Sequence, residues 1–339
     1  MIASKNSTAA AALFCGLTIL QPTWAQSVED FYRRKKIDMI IGYSSGGTYD
    51  LYARLVARHL GNYIPGHPTI VPRNMPGAAS RTAAAYVYNI APKDGTVLAT
   101  ADQSLAVQQA MGEKRNFDTT KFIYIGNPNA ENNTTVTWHA SGIKTIEDAK
   151  RKEVTMGATG SGTSAHYPKA MNALLGTKFK VIVGYPGGND INLAMERGEV
   201  DGRGSNSWLS WKATRPDWLR DKKINILVQI GLKKAPDLTD VPLLTDLAAN
   251  EQDRAALKLL SASAAVGRPI FTSPDVPAER VKALRDAFNK MVKDPAFLEQ
   301  AKKEHFEIEP VSGEDLQKIV AEIVATPQPI AERLQKAIE

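Results

Sequence analysis

Cysteine is nearly absent from this 339-residue chain, and the single one, Cys15, lies in an apolar run near the start. Everything after residue 25 therefore has no disulfide, no thiolate nucleophile and no thiolate metal site. Histidine is scarce as well. His59, His67, His139, His166 and His305 form no HExxH or other close ligand spacing, so no metal is expected. There is no Gly-Lys-Ser/Thr phosphate loop, no spaced dinucleotide fingerprint and no G-x-S-x-G elbow. Neither a cofactor nor a nucleophilic serine is expected. Charge of one sign is not concentrated: 42 Lys plus Arg face 36 Asp plus Glu, for a net +6. Without a basic patch, nucleic acid is not an expected partner. The mild positive excess instead favours anionic small molecules.

What is present begins with a targeting pattern. Lys5 precedes an apolar run from Ala9 to Leu20, followed by Pro22 and Thr23-Trp24-Ala25. The run is shorter than the roughly 20 residues a membrane span needs, which disfavours an uncleaved anchor helix. Residues 1–25 read as a secretory signal cut after Ala25. Phe14 before Cys15 argues against lipid attachment. A cysteine-free chain beyond the signal suits the periplasm.

Short apolar runs then alternate with amphipathic stretches. Strands are expected at Ile37–Gly42, Pro68–Pro72, Thr96–Thr100 and Phe122–Gly126, with helices at Thr48–Leu60 and Ser80–Ile90. A second set has strands at Thr134–Trp138, Val154–Ala158, Lys178–Gly184 and Ile224–Ile230, and an extended Val200–Gly204. Its helices are Thr145–Lys152, Ala165–Leu175 and Asn189–Arg197. The alternation predicts two α/β units in series, each a parallel sheet covered by helices. Pro274–Val292 is an amphipathic helix with Val281, Leu284, Phe288 and Met291 on one stripe. Helices at Phe297–Glu304 and Gly313–Ala337 follow and are expected to pack back on the first unit. The division is 26–128 plus 263–339 for one lobe and 129–262 for the other. Two crossovers and a cleft between lobes form a plan that binds small ligands by closing.

Four glycine-rich turns could carry the chemistry. Tyr43-Ser44-Ser45-Gly46-Gly47-Thr48-Tyr49-Asp50 joins a strand end to a helix start. Gly46 and Gly47 can expose backbone N–H groups, the hydroxyls add donors, and the helix start favours an anion. The alternative is a simple helix cap. Asn74-Met75-Pro76-Gly77-Ala78-Ala79-Ser80 is a second small-residue turn. The third, Thr159-Gly160-Ser161-Gly162-Thr163-Ser164, repeats the features of the first, so one turn from each lobe could grip an anion. The fourth is Tyr185-Pro186-Gly187-Gly188-Asn189-Asp190-Ile191-Asn192, followed by Arg197–Arg203. Arg203 could pair bidentately with a carboxylate, or form a surface or interdomain ion pair.

These segments, in this order, resemble the substrate-binding receptors of tripartite tricarboxylate transporters, the Bug family of periplasmic proteins. The matching elements are Ser45-Gly46-Gly47 with Asp50 and Ala53-Arg54, Asn74-Met75-Pro76-Gly77-Ala78, and Ala91-Pro92-Lys93-Asp94-Gly95 with Leu98. Gly160-Ser161-Gly162-Thr163, Tyr185-Pro186-Gly187-Gly188, Gly198 to Asp201 and Pro236 to Pro242 complete them. The resemblance covers nearly all of the chain after residue 25. It implies a two-lobed periplasmic-binding-protein type II (Venus flytrap) fold, no catalysis, and a small organic acid held largely by backbone amides, hydroxyls and waters of loops 43–50 and 159–164. The acids implied are di- and tricarboxylic acids, amino acids, nicotinate or aromatic acids. It also implies delivery to a two-component membrane permease. The expected ligand-binding residues are Tyr43, Ser44, Ser45, Gly46, Gly47, Thr48, Asp50, Gly77, Ala78, Ser104, Thr159, Ser161, Gly162, Thr163, Ser164, Tyr185 and Arg203. Ser44-Ser45, Met75, Ala79, Arg203, Ser205 and Trp208 depart from the usual pattern, and Tyr43, Tyr49 and Trp208 point to a larger or aromatic acid. A monomer is expected. A periplasmic sensory module built on the same clamshell is the alternative function. An enzyme is disfavoured because no nucleophile–base pair, metal cluster or cofactor fingerprint is present.

Overall fold

The computed structural model describes residues 26–130 and 132–339. The expected signal segment and its cleavage point lie outside the described residues. The strands run in chain order as β1 (Lys36–Ile41), β2 (Thr69–Asn74), β3 (Val97–Thr100), β4 (Ile123–Asn127), β5 (Asn133–Trp138) and β6 (Val154–Ala158). They continue as β7 (Phe179–Val183), β8 (Gly202–Ser207), β9 (Ile224–Ile230), β10 (Ile270–Thr272) and β11 (Val311–Ser312). They form two sheets, ordered β11-β4-β10-β3-β1-β2 and β7-β6-β8-β5-β9.

Both sheets are mixed, which corrects the expectation of parallel ones. β1 runs parallel to β2 and β3, but β10 is antiparallel to both β3 and β4. In the second sheet β6 is parallel to β7 and β8, while β5 is antiparallel to β8 and β9. The returning chain enters the first sheet from the end where β3 and β4 finish. Apolar patterning identifies strands but carries no sign for their direction, so the sequence could not show this.

β1 shows why its residues form a buried strand. Ile37, Met39 and Ile41 pack with Leu55 and Val56 of helix Thr48–Leu60 and with Phe288. Ile40 points to the opposite core, with Ala99, Phe271 and Leu260. Only its second half is covered on both faces: Met39-Ile40-Ile41 reads as a continuous apolar run, whereas Lys36 and Asp38 lie at the less buried end. Each such side chain contributes roughly 1.5–3 kcal/mol by burial. β4 is fixed by a close approach: the Phe288 ring occupies the space where a Cβ on Gly126 would stand.

Two helical details differ from the sequence pattern. The expected helix Gly313–Ala337 is two helices, Gly313–Val324 and Gln328–Ile338. Pro327 lacks an N–H and biases Thr326 away from helical geometry, so the chain breaks there. Helix Glu251–Val266 is not among the expected elements. Asn250 caps it by accepting the Asp253 N–H at 2.9 Å, and it packs against both C-terminal helices.

Candidate functional site

The ends of β1 and β6 and the start of β5 meet at the seam between the sheets. Ligands of open α/β sheets gather beyond strand carboxyl ends. Here Tyr43 leaves β1 and stacks on Tyr49 with ring centroids 4.8 Å apart. The Tyr43 hydroxyl donates to buried Asp102, and burial with that carboxylate beside it pushes the phenol well above its ordinary pKa. Asp50 organises the loop. It accepts from the Gly46 N–H at 3.0 Å, from Arg54 Nε at 2.9 Å and from Asn74 Nδ2 at 2.8 Å. Burial alone would raise its pKa, but these donors outweigh burial and hold the carboxyl below its usual range.

The two lobes are stitched across this seam. Ser44 Oγ donates to Asp190 at 2.8 Å, the Ser44 N–H donates to the Pro186 carbonyl at 3.4 Å, and Thr48 and Ser210 share a hydroxyl bond of 2.8 Å. Between them lies a cavity of about 60 Å³. Its walls are mostly polar, and none of its lining residues is an Asp or Glu.

Arg203, on β8, lines the cavity. Its Nη1 donates to Asn192 Oδ1 at 3.1 Å, and its guanidinium lies 5.5 Å from the Trp211 ring centroid. Its Nε is buried and meets no hydrogen-bond acceptor among the described residues. Enclosure penalises the charge and lowers the Arg203 pKa to about 9, with nearby Arg215 adding to the effect and Tyr43 opposing it. Buried Asn133 and Asn206 line the same cavity, and the Nδ2 of each also lacks a described acceptor. Asn133 is positioned by its Oδ1, which accepts from Ser205 at 3.3 Å. Arg268 lies on the cavity wall with its guanidinium 4.6 Å from the Tyr52 ring centroid and bonded to Ser207. Buried amide donors are nearly always paired, and an unpaired one costs about 1–3 kcal/mol. Convergent donors without acceptors, in a cavity without carboxylates, form a receptacle for an anion.

The expected site residues fall into three groups. Tyr43, Gly46, Gly47, Thr48, Thr159, Thr163, Ser164 and Arg203 line the cavity. Gly77, Ala78 and Tyr185 line an adjoining crevice of about 300 Å³ that shares Tyr43 and Thr159. Ser44, Ser45, Asp50, Ser104, Ser161 and Gly162 line neither. Ser44 is committed to Asp190, Asp50 to its loop, and buried Ser104 to Asp102 at 2.5 Å. Ser161 is exposed, and its Oγ lies 2.9 Å from His166 Nε2. Gly162 sits where a Cβ would press on Ala79 and Asp102. Trp208 lines neither space; the Lys212 ammonium lies 5.7 Å from its ring centroid. Arg203 pairs with no carboxylate among the described residues, so the ion-pair alternative for it does not hold.

The sequence reading misses Gln103, Asn133, Asn206, Ser207, Ser210 and Arg268 as cavity residues, and it includes Asn192 in the fourth turn but not among the ligand-binding residues. One signal was available. β8 is a central strand, flanked by β6 and β5, yet its sequence Gly-Arg-Gly-Ser-Asn-Ser contains no apolar side chain. Central strands covered on both faces normally read apolar. A polar one marks the floor of a cavity.

Among the described residues no group of three or more His, Cys, Asp or Glu could hold a metal ion. No described helix is long and apolar enough to cross a membrane.

Residues 52–335 match a family model described as "Tripartite tricarboxylate transporter family receptor". A "UPF0065 protein in gbd 5'region" from Cupriavidus necator is 27% identical, over 98% of this chain and 96% of its own length. The solved periplasmic binding protein BugD superposes with a TM-score of 0.70 at 20% identity, over 90% of this chain and 98% of that one. MatC from Rhodopseudomonas palustris with bound malate gives 0.70 at 17% identity, covering 90% and 99%. An R. palustris protein with adipate gives 0.67 at 19% identity, covering 90% and 97%. At these identities the solved structures carry the fold, two-lobed as the sequence implied.

Proposed function

The chain belongs to the tripartite tricarboxylate transporter receptor family, and from that premise we propose that it captures a small organic carboxylate between its lobes in the periplasm and delivers it, as a monomer, to a two-component membrane permease. The family consists of substrate-binding receptors rather than enzymes. We take the lobes as 26–128 with 263–339, and 129–262.

One observation carries the carboxylate reading. Arg203 faces the interlobe cavity with a buried Nε that has no described acceptor, beside the unpaired amides of Asn133 and Asn206. A guanidinium and a carboxylate are complementary in shape and charge, and hydrogen bonds to charged groups contribute about 1.5–3 kcal/mol each. That donors come from several elements matters, because the cavity is complete only when the lobes are together. The malate and adipate carried by the solved structures named above are organic acids of the same class.

The test is thermal unfolding of residues 26–339 against a panel of organic acids, after unfolding and refolding to remove any co-purified ligand. A ligand that binds only the folded state stabilises it by about 2.7 kcal/mol at one hundred times its Kd. A rise in midpoint with organic acids, abolished in Arg203→Gln, supports the reading. No shift with any carboxylate rejects it.

A further inference from the structure

We infer that the ligand is a monoanionic acid with a neutral tail, its carboxylate in the arginine-lined cavity and its tail in the adjoining crevice. The inference rests on the reading of the first cavity as a carboxylate site, and adds which carboxylates fit.

Size is the first argument. A cavity needs about 10–15 Å³ of such volume per water, so about 60 Å³ accepts roughly four to six water-sized groups. A carboxylate and its first carbons fill that. Any longer acid must extend elsewhere. The crevice that adjoins the cavity, with Tyr43 and Thr159 lining both, offers about 300 Å³ open to solvent.

Chemistry is the second argument. No charged side chain lines the crevice, and Pro76, Ala78, Ala79, Tyr185 and Pro186 are among its walls. A second carboxylate at the tail end would lose water there without meeting a cation, which is costly. Methylene or aromatic groups would gain by burial against those walls.

The third argument is the backbone. Ala78, Ala79 and Ser80 all hold positive φ, at 47°, 51° and 63°. Three consecutive non-glycine residues in the left-handed region are strained, and such strain concentrates at ligand sites. Here it wraps the turn against Gly42, where a Cβ would overlap Ser80. The result presents the exposed Ala78 along the crevice wall.

The experiment is calorimetric titration of residues 26–339 with two series: linear monocarboxylates from propionate to octanoate, and α,ω-dicarboxylates from succinate to suberate. Burial of about 0.8 kcal/mol per methylene corresponds to about fourfold tighter binding for each added carbon, until the crevice is full. Each dicarboxylate should bind at least tenfold more weakly than the monocarboxylate of equal length. Ala78→Leu should abolish the gain with length, and a cooperative thermal transition with native-like circular dichroism, measured without ligand, checks that the variant is folded. Binding without length dependence, or dicarboxylates that match or exceed their partners, overturns this inference and leaves the carboxylate reading standing. If no acid of either series binds, this inference falls, and the carboxylate reading is decided by the wider panel of organic acids in the thermal-unfolding test.

Discussion

Arg203 and Asn192 are joined by a 3.1 Å bond from Nη1 to Oδ1, and that is the only hydrogen bond the guanidinium makes among the described residues. A neutral amide orients the arginine without neutralising it. The charge is thereby kept available at the cavity.

Arg203→Gln should separate binding from stability. Loss of a charge-assisted bond should weaken carboxylate binding roughly tenfold to a hundredfold. The unliganded protein should melt at the same temperature or higher, because an enclosed and uncompensated charge is removed. Calorimetric titration and thermal unfolding of the same preparation check both. A variant that melts well below the wild type would mean the arginine is structural.

Trp211 should report occupancy. The guanidinium lies 5.5 Å from its ring, and the indole N–H is fixed by Thr134 Oγ1 at 2.9 Å. Neutralisation of Arg203 by an anion should change Trp211 emission, and Trp211→Phe should remove most of the change. Arg203 lies over no other described indole, so Trp138, Trp208 and Trp218 serve as internal controls. An equal ligand response in Trp211→Phe would assign the signal to another indole.

Ser44→Ala should shorten residence of the ligand. It deletes the hydroxyl bond to Asp190 across the seam while leaving the cavity lining intact. A typical net hydrogen bond of about 0.5–1.5 kcal/mol predicts dissociation about two- to tenfold faster, measured by stopped-flow displacement. Association should change less.

His166 should make the fold acid-sensitive. Burial, with Arg81 and Lys169 nearby, lowers its pKa to about 3. In the unfolded chain it titrates near 6.5. Its contribution is therefore fully present above pH 6.5 and is lost as pH falls from there towards 3, because the unfolded state takes up the proton first. Between pH 6.5 and 4.5 the loss is up to about 2.7 kcal/mol. His166→Gln should flatten this part of the stability profile, read from urea unfolding at a series of pH values.

The parts of the structure legible in the sequence were those governed by local pattern. β1 and helix Thr48–Leu60 follow from apolar runs and a glycine turn. Loop 43–48 and Arg203 were singled out from glycines, hydroxyls and one charge near a turn. Asn133 and Asn206 were not, because they lie inside strands that hydropathy alone reads weakly. The extended stretch was expected to end at Gly204, yet β8 continues through Ser205, Asn206 and Ser207. The Asn133 amide finds its position through strand pairing with Ser207, seventy-odd residues away in sequence. Loop hydroxyls such as Ser44 and Ser161 have the right chemistry, but their destinations depend on which lobe surface they meet. The strained turn at Ala78–Ser80 gives no compositional sign either, since alanine ordinarily avoids that backbone geometry.

The position of β10 has a consequence for how the protein is made. Phe271 pairs with Ala99 on one side and Tyr124 on the other, so three late residues hold together two strands synthesised far earlier. Until residue 272 has emerged, β3 and β4 have no common neighbour, and the first half of the chain cannot finish its sheet. The whole second lobe must therefore be delivered before the first one locks. The order of the chain thus holds back the lobe that is made first until its own late strand arrives.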